Sequence, residues 1–494
     1  MRNHLREEIY MNRQRAAEEA GSIRPVRSDR SVRLLSTRRA FLQSAAGAAT
    51  LSFVPNRAFG KTSPPPNLLL LLSDDHTFRA LGAVGNHHIK TPTLDALAAS
   101  GTYFSHCYVS NPICTPSRAA LLTGQYGFSN GVTFFNKKIR PESPRLPRLL
   151  NEQGYTTAFI GKWHNDGRPL DHGFLRMRHT FLGGMHEHDS IPVVQGANDE
   201  KLLVPKNPSE LFTDGAIELL GELPEPWCLF VWYTAPHDPR HPPGNYARMY
   251  DEGSIPLPPN FMPEPPPHHQ STLDIRDEKL LPRPLDPQAI RHETAQYYGL
   301  ISHLDAQIAR LLEALDRHGQ RSRTLIAFGG DNGLTLGAHG LLGKQTMYEE
   351  GVRVPLMLSG PGVPRGKTQD KLVDLMDVMP TFLMDVMPTF LEAAGAPVPD
   401  TVQGCSLLAR HEHRPRSPRI RPRDTIFGHY DDLFRMVRRD RFKLIHTLKP
   451  DSFELFNLEE DPYELQDLSA SPEHARRLHS LREALQAWRQ STGG

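Results

Sequence analysis

The chain is poor in cysteine. Cys107, Cys114, Cys228 and Cys405 are the only four among 494 residues, and no two form a CxxC pair. That excludes a disulfide framework for a chain this long and removes the commonest zinc spacing. Long apolar runs are also missing, since none reaches the roughly 20 residues needed to span a bilayer. Net charge is nearly absent, at +1, so nothing favours nucleic acid, which calls for a basic face. The charge is unevenly placed: residues 1–60 hold eleven Arg, no Lys and five acids, and the remainder is mildly acidic. What is abundant is proline, at 44 residues, beside 38% hydrophobic and 23% charged residues. This composition suits a globular protein with long ordered loops, and the length allows one large domain plus a smaller one.

Residues 1–60 read as an address. Thr37-Arg38-Arg39-Ala40-Phe41-Leu42-Gln43 precedes a mild apolar stretch from Ala40 to Val54. The order of Arg pair, Phe-Leu and Ala-rich segment resembles a twin-arginine export signal, which a receptor reads before removal. The expected location is periplasmic or secreted.

Four strand candidates end in reactive side chains. Asn67–Leu72 is a continuous apolar run, as a strand buried on both faces should be, and leads into Ser73-Asp74-Asp75-His76. Thr156–Ile160 leads into Gly161-Lys162-Trp163-His164, Cys228–Tyr233 into Thr234-Ala235-Pro236-His237, and Thr324–Phe328 into Gly329-Gly330-Asp331-Asn332-Gly333. Helices separate them: a short one from Pro92 to Ser100, and a long one from Glu293 to His318 with Gly319 as its stop. Alternating strands and helices predict an α/β fold built on a large, mostly parallel sheet flanked by helices. Ligands bind beyond the carboxyl ends of such strands. Singly, each polar ending is an ordinary turn. Together, Asp74, Asp75, Asp331 and Asn332 offer only oxygen donors, which suits a hard cation such as Ca²⁺ or Mg²⁺.

Between the first two strands runs Asn111-Pro112-Ile113-Cys114-Thr115-Pro116-Ser117-Arg118, followed by Ala119-Ala120-Leu121-Leu122-Thr123-Gly124. This segment resembles the C-x-P-S-R, x-x-L-L-T-G signature of the type I sulfatases of the alkaline phosphatase superfamily. The likeness continues through Gly161-Lys162-Trp163-His164, Ala235-Pro236-His237, Gly330-Asp331-Asn332-Gly333, His339-Gly340, Gly343-Lys344 and Tyr348–Pro355, with an echo at Glu454–Leu458, Asp461-Pro462 and Glu464. It covers roughly residues 66–470, and such linked motifs are specific in combination.

The resemblance implies an alkaline phosphatase-like fold and hydrolysis of sulfate monoesters. Cys114 would be converted to formylglycine by a formylglycine-generating enzyme, and one hydroxyl of the hydrated aldehyde would attack sulfur. Asp74, Asp75, Asp331 and Asn332, with residue 114, would hold Ca²⁺, or Mg²⁺ in its place. Arg118 would fix the hydrate, and Lys162 and Lys344 would bind sulfate oxygens. His164 would assist the hydrate hydroxyl and His237 would protonate the leaving oxygen. His76 and His339 receive no role. The substrate class implied is a sulfated small molecule or glycan. The rival readings are a phosphonate or phosphate ester hydrolase on the same scaffold, and an inactive protein that binds sulfated glycans.

The expected organisation is a signal segment at 1–60, a catalytic domain at 61–410 and a small α+β subdomain at 411–494. In the last, short strands at Arg435–Val437, Phe442–His446 and Glu454–Leu458 precede a helix bearing Leu478, Leu481, Leu485 and Trp488 on one face. The proline-rich stretch 236–288 reads as a wall of the substrate pocket, and the His- and acid-rich run Gly183–Asp189 as a solvated loop, with a sugar-contacting loop as the alternative. Leu375–Phe382 is repeated identically as Leu383–Phe390. The second copy runs into Leu391-Glu392-Ala393-Ala394-Gly395 and is better placed to form a helix, with the first copy looped out.

Overall fold

A computed structural model describes residues 64–196, 198–374, 386–403 and 425–493. The predicted signal segment, Cys405 and the first repeat copy lie outside these residues.

Ten strands form the main sheet: β1 (Asn67–Ser73), β2 (Thr102–Phe104), β3 (Thr156–Lys162), β4 (Arg176–Phe181), β5 (Ile191–Gln195), β6 (Asn198–Val204), β7 (Trp227–Trp232), β8 (Thr324–Gly330), β9 (Leu356–Ser359) and β10 (Lys367–Gln369). Their order is 10-2-9-8-1-7-3-4-5-6. The middle of the sheet, 8-1-7-3-4, is parallel throughout. Strands β9, β5 and β6 pair antiparallel at its margins. The four strands predicted to end in chemistry are therefore four neighbours at the centre of the sheet, and their carboxyl ends open on one site.

The continuous apolar run of β1 follows from burial on both faces. Leu68, Leu70 and Leu72 pack into one core, while Leu69 and Leu71 pack into the other. Helix α1 (Pro92–Ser100), α3 (Pro208–Glu222) and α4 (Pro287–Arg317) cover the second face, through residues such as Leu97, Phe212 and Ile308. Helix α2 (Cys114–Thr123) covers the first, through Ala119, Leu121 and Leu122.

Helix α4 begins six residues before the predicted Glu293. Its start is set by an Asp286 side chain that accepts from the Ala289 amide at 3.0 Å, followed by Pro287 in the first turn. Asp286→Ala should leave the fold intact and cost about 1 kcal/mol of stability. A denaturant melt would check this, and an unchanged midpoint would show that packing alone sets the helix start.

The second repeat copy enters helix α5 (Val386–Ala393), with Pro388 at its third residue. Proline is tolerated there because the first-turn amides have no partner inside the helix.

The C-terminal region holds four antiparallel strands rather than three: β11 (Thr425–Tyr430), β12 (Phe434–Arg439), β13 (Phe442–Leu448) and β14 (Asp451–Asn457). One face, with Val437, Leu444 and Leu455, packs against Leu481, Leu485 and Trp488 of helix α6 (Ala475–Thr492). Leu478 is only partly buried there. The other face, with Met436, Ile445 and Phe456, joins the main core. Glu349 fixes this junction from within the Tyr348–Pro355 motif. It accepts from Tyr108 Oη at 2.6 Å and from Lys443 Nζ at 3.0 Å.

Candidate active site

The site is assembled by sharp strand endings. Asp75 follows β1 with φ +62, and His164 follows β3 with φ +48, both in the left-handed region that non-glycine residues rarely occupy. At Gly161, φ is +105 and a Cβ would lie 1.9 Å from the Trp232 carbonyl oxygen, so only glycine fits. The β3/β4 register shifts at the same point, which re-aims the residues after it.

Cys114 opens helix α2, where unpaired amides favour an anion. Its Sγ lies 3.3 Å from Asp74 Oδ1, 3.3 Å from Lys344 Nζ and 3.6 Å from Lys162 Nζ. Burial pushes the thiol well up, Asp74 adds to this, and the two lysines only partly offset it. Lys162 pairs with Asp74 in a very short contact. Lys344 spans both oxygens of Asp75, at 2.6 and 2.8 Å. Burial works against the Lys344 charge, but Asp75 holds its pKa well above the ordinary value.

Arg118 lies one helical turn beyond Cys114 and is 0% exposed. Its Nε donates to Asp331 Oδ2 at 2.9 Å, its Nη1 to the Lys162 carbonyl at 2.7 Å, and its Nη2 sits 3.5 Å from Asp74 Oδ2. Asp331 also takes the Asp75 amide, at 3.1 Å. Asn332 Nδ2 donates to Asp75 Oδ1 at 2.7 Å, which leaves its buried Oδ1 without a partner. His237 Nε2 stands 3.7 Å from Asp75 Oδ2, and its Nδ1 faces the Asp238 carbonyl oxygen at 2.8 Å. Single ligating atoms of Asp74, Asp75, Cys114 and His237 all lie within 4.8 Å of one another.

The structure thus joins Asp74, Asp75, Cys114, Arg118, Lys162, His237, Asp331, Asn332 and Lys344 directly. His164 stands slightly apart, stacked 5.7 Å from Phe135 with Nδ1 unpartnered. Burial, with Lys162 next, holds its pKa well below the ordinary value, so it is a neutral base. The two histidines given no role are structural. His76 is held between Ser73 Oγ and the Ala80 carbonyl, and His339 lies flat on Tyr348 with ring centroids 3.7 Å apart.

Sequence reasoning missed a ring of residues behind His237. Asp238 pairs closely with Arg276, and Gln345 donates to Asp277 at 3.0 Å. Burial works to raise the Asp238 pKa, but His237 and Arg276 outweigh it and hold the carboxylate ionised. Asp238, Arg240 and Arg276 line a cleft of about 420 Å³. A second cleft of about 510 Å³, lined by Glu187, His188, Asp189 and Lys206 among others, meets it at His241.

Three carboxylates, two ammonium groups and a guanidinium around one helix N-terminus define a site that receives a small anion. The sulfatase family profile matches residues 66–396, and that of the N-sulphoglucosamine sulphohydrolase C-terminal region matches 337–491. The chain belongs to the sulfatase family and is a sulfuric ester hydrolase. It is 28% identical to an N-acetylglucosamine-6-O-sulfatase of Bacteroides thetaiotaomicron, over 85% of this chain and 86% of that protein. A solved structure in complex with its substrate D-glucosamine-2-N,6-O-disulfate superposes with a TM-score of 0.75 at 25% identity, over 87% of this chain and 98% of that one. A phosphonate monoester hydrolase of Agrobacterium radiobacter shares the fold, with a TM-score of 0.71 at 23% identity, over 86% of this chain and 96% of that one.

Proposed function

We propose that this chain is exported and removes sulfate from a sulfated carbohydrate, using formylglycine at position 114 and Ca²⁺ held by Asp74, Asp75, Asp331 and Asn332. The observation that carries the reading is the meeting of Cys114, at the first turn of α2, with Lys162 and Lys344 on one side and the Asp74–Asp75 pair on the other. Export is supported by the Arg38-Arg39 segment and its apolar sequel.

The residues fit a hard divalent cation. The donors are oxygens, and the buried Asn332 Oδ1 lacks a hydrogen-bond partner. The three carboxylates formally balance Lys162, Lys344 and Arg118, so a divalent cation would make the cluster a net positive receptor for an anionic ester. When bound, the cation polarises a sulfate oxygen and eases ionisation of the nucleophile.

The chain's own residues supply the rest. Lys162 and Lys344 flank position 114 and neutralise the sulfate oxygens. His237 donates from Nδ1 to the Asp238 carbonyl and, as the imidazolium, gives its Nε2 proton to the leaving oxygen. His164, neutral at working pH, accepts the proton released when sulfate departs. Arg118 spans Asp331 and Asp74 and holds the carboxylates in register.

A carbohydrate is supported by the polar clefts beside His237 and by the sulfated amino sugars named for two similar proteins. A panel of sulfated mono- and oligosaccharides, with matched aryl sulfate and aryl phosphonate esters, tests the reading through released sulfate or phosphonate. Sulfated sugars should turn over with kcat/KM at least about tenfold above the aryl sulfate, because binding away from the reacting centre adds transition-state stabilisation. Preferential cleavage of the phosphonate would favour the phosphonate hydrolase. No turnover in protein with confirmed formylglycine would favour the binding protein.

A further inference from the structure

His268 and His269 are consecutive on the 3₁₀ helix Pro267–Asp274, within the proline-rich stretch 236–288. They meet Glu454, which lies on β14 in the C-terminal sheet. We propose that these three residues form a second metal site, for zinc or a similar imidazole-preferring transition ion, that clamps the 236–288 stretch to the C-terminal sheet.

The distances suit a shared ion. His268 Nε2 lies 2.9 Å and His269 Nε2 3.6 Å from the same oxygen, Glu454 Oε2. All three ligand atoms fall within 4.8 Å of one another. Ligands about 2.0–2.2 Å from a tetrahedral zinc stand roughly 3.3 Å apart. An imidazole–carboxylate ion pair brings His268 close to Glu454, but at 3.6 Å His269 Nε2 is too far from Oε2 for a direct hydrogen bond. His268 Nε2, both ring nitrogens of His269 and Glu454 Oε2 are buried atoms without a hydrogen-bond partner. An ion in the plane of both rings, on the Nε2 lone pairs and shared with Oε2, would give these atoms a common partner. His269 is 0% exposed, so leaving both its nitrogens unpaired is costly unless a ligand takes one.

The surroundings hold the donors in place. Glu454 Oε1 is already taken by Tyr348 Oη at 2.7 Å, which leaves Oε2 free to ligate. The His269 ring stacks on Phe434 and leans on Tyr348, with centroids 4.9 and 5.0 Å away. The His268 side chain keeps 23% of its surface, so a water can complete a fourth position. Two imidazoles and one carboxylate form a set that zinc accepts and calcium does not favour. The two sites therefore select different ions: oxygen donors at the strand ends, nitrogen-rich donors here. Because Tyr348 lies four residues beyond Lys344, the clamp also steadies the segment that carries a catalytic lysine.

The test uses the whole protein, stripped with chelator, reloaded with excess Ca²⁺ and titrated with Zn²⁺ or Co²⁺. The expected result is one equivalent bound tightly, tetrahedral Co²⁺ bands in the visible spectrum and a higher melting temperature. His268→Ala changes the most exposed ligand and so risks the fold least. It should weaken zinc binding by about 100-fold or more and erase both the bands and the melting increment. Turnover in Ca²⁺ should stay within about twofold of the parent. Glu454→Gln should behave alike in binding. Absence of stoichiometric uptake overturns the proposal. So does unchanged affinity in His268→Ala, which would place the ion at another site, such as the strand ends or His339, Glu350 and Glu464.

Discussion

Cys114→Ala is expected to fold and bind calcium yet release no sulfate above background. Removal of a covalent nucleophile costs on the order of 10⁶ in kcat, because the remaining groups then act on water alone. The fold should tolerate the change. The Lys162–Asp74 and Lys344–Asp75 pairs do not depend on the thiol, and the helix cap at Ile113 uses no side chain. The parent protein should gain activity in proportion to conversion when a formylglycine-generating enzyme is co-expressed, as read by the mass of the peptide that carries residue 114. An unconverted thiol is poorly suited to act by itself. It is buried against Asp74 and held protonated, whereas a reactive cysteine needs a stabilised thiolate. Full turnover in Cys114→Ala would overturn the assignment of the nucleophile.

Much of this site was legible in the sequence because its physics is local. Leu68–Leu72 reads as a strand buried on both faces, and both faces are indeed covered. The polar residues just after the strands stand at the end of the sheet where ligands bind. What sequence cannot supply is which strands are neighbours. The order 8-1-7-3 brings Asp331 beside Asp74 although 256 positions separate the Ser73 and Gly329 that hydrogen-bond there. The stretch 236–288 was opaque for another reason. It folds as 3₁₀ turns between prolines, which carry no hydrophobic period. Asp238, Arg276 and the His268–His269 pair were lost in it. Strand β11 was missed because nothing marked its start. The early start of α4 was different. Asp286-Pro287 is an N-cap followed by a first-turn proline, and that signal was readable.

Burial also separates residues that look alike in the motifs. Glu349 and Lys344 are five residues apart, both nearly sealed from solvent. Lys344 turns to Asp75 and Cys114, while Glu349 turns to Lys443 in the C-terminal sheet and to Tyr108 on the short strand Cys107–Tyr108. Glu464 joins this second cluster, 2.8 Å from Lys443 through Oε1, and accepts the Glu349 amide at 2.7 Å. Burial raises its pKa and Lys443 opposes the shift, while Glu349 also faces Arg353 at 3.4 Å and Arg438 at 3.6 Å. The echo of the family pattern at Glu464 therefore belongs to the junction of the two sheets rather than to the chemistry.

Asp331→Ala is expected to lose calcium and rate together, and to lose stability as well. Asp331 closes the cluster on the β8 side. Its amide donates to the Ser73 carbonyl at 3.0 Å, its Oδ1 takes the Asp75 amide, and its Oδ2 takes Arg118 Nε. Each carboxylate oxygen has a second lone pair, so these bonds leave room for a cation. Removal of the carboxylate leaves Arg118 buried with less compensation. Breaking a buried pair in this way costs about 3–5 kcal/mol, and the lower end applies because the Lys162 carbonyl and Asp74 still face the guanidinium. The uncompensated positive charge also repels a divalent ion, so affinity falls by more than the loss of one ligand. Sulfate release should drop by about 10³-fold or more, the scale on which preorganised charge acts in such sites. Asp331→Asn separates the two effects. It keeps the shape and one oxygen, so it should melt closer to the parent while still failing to hold calcium. Elemental analysis after dialysis, a melting curve and a sulfate assay on the same preparations read all three quantities. A variant that keeps its calcium equivalent and turns over at the parent rate would remove Asp331 from the ligand set.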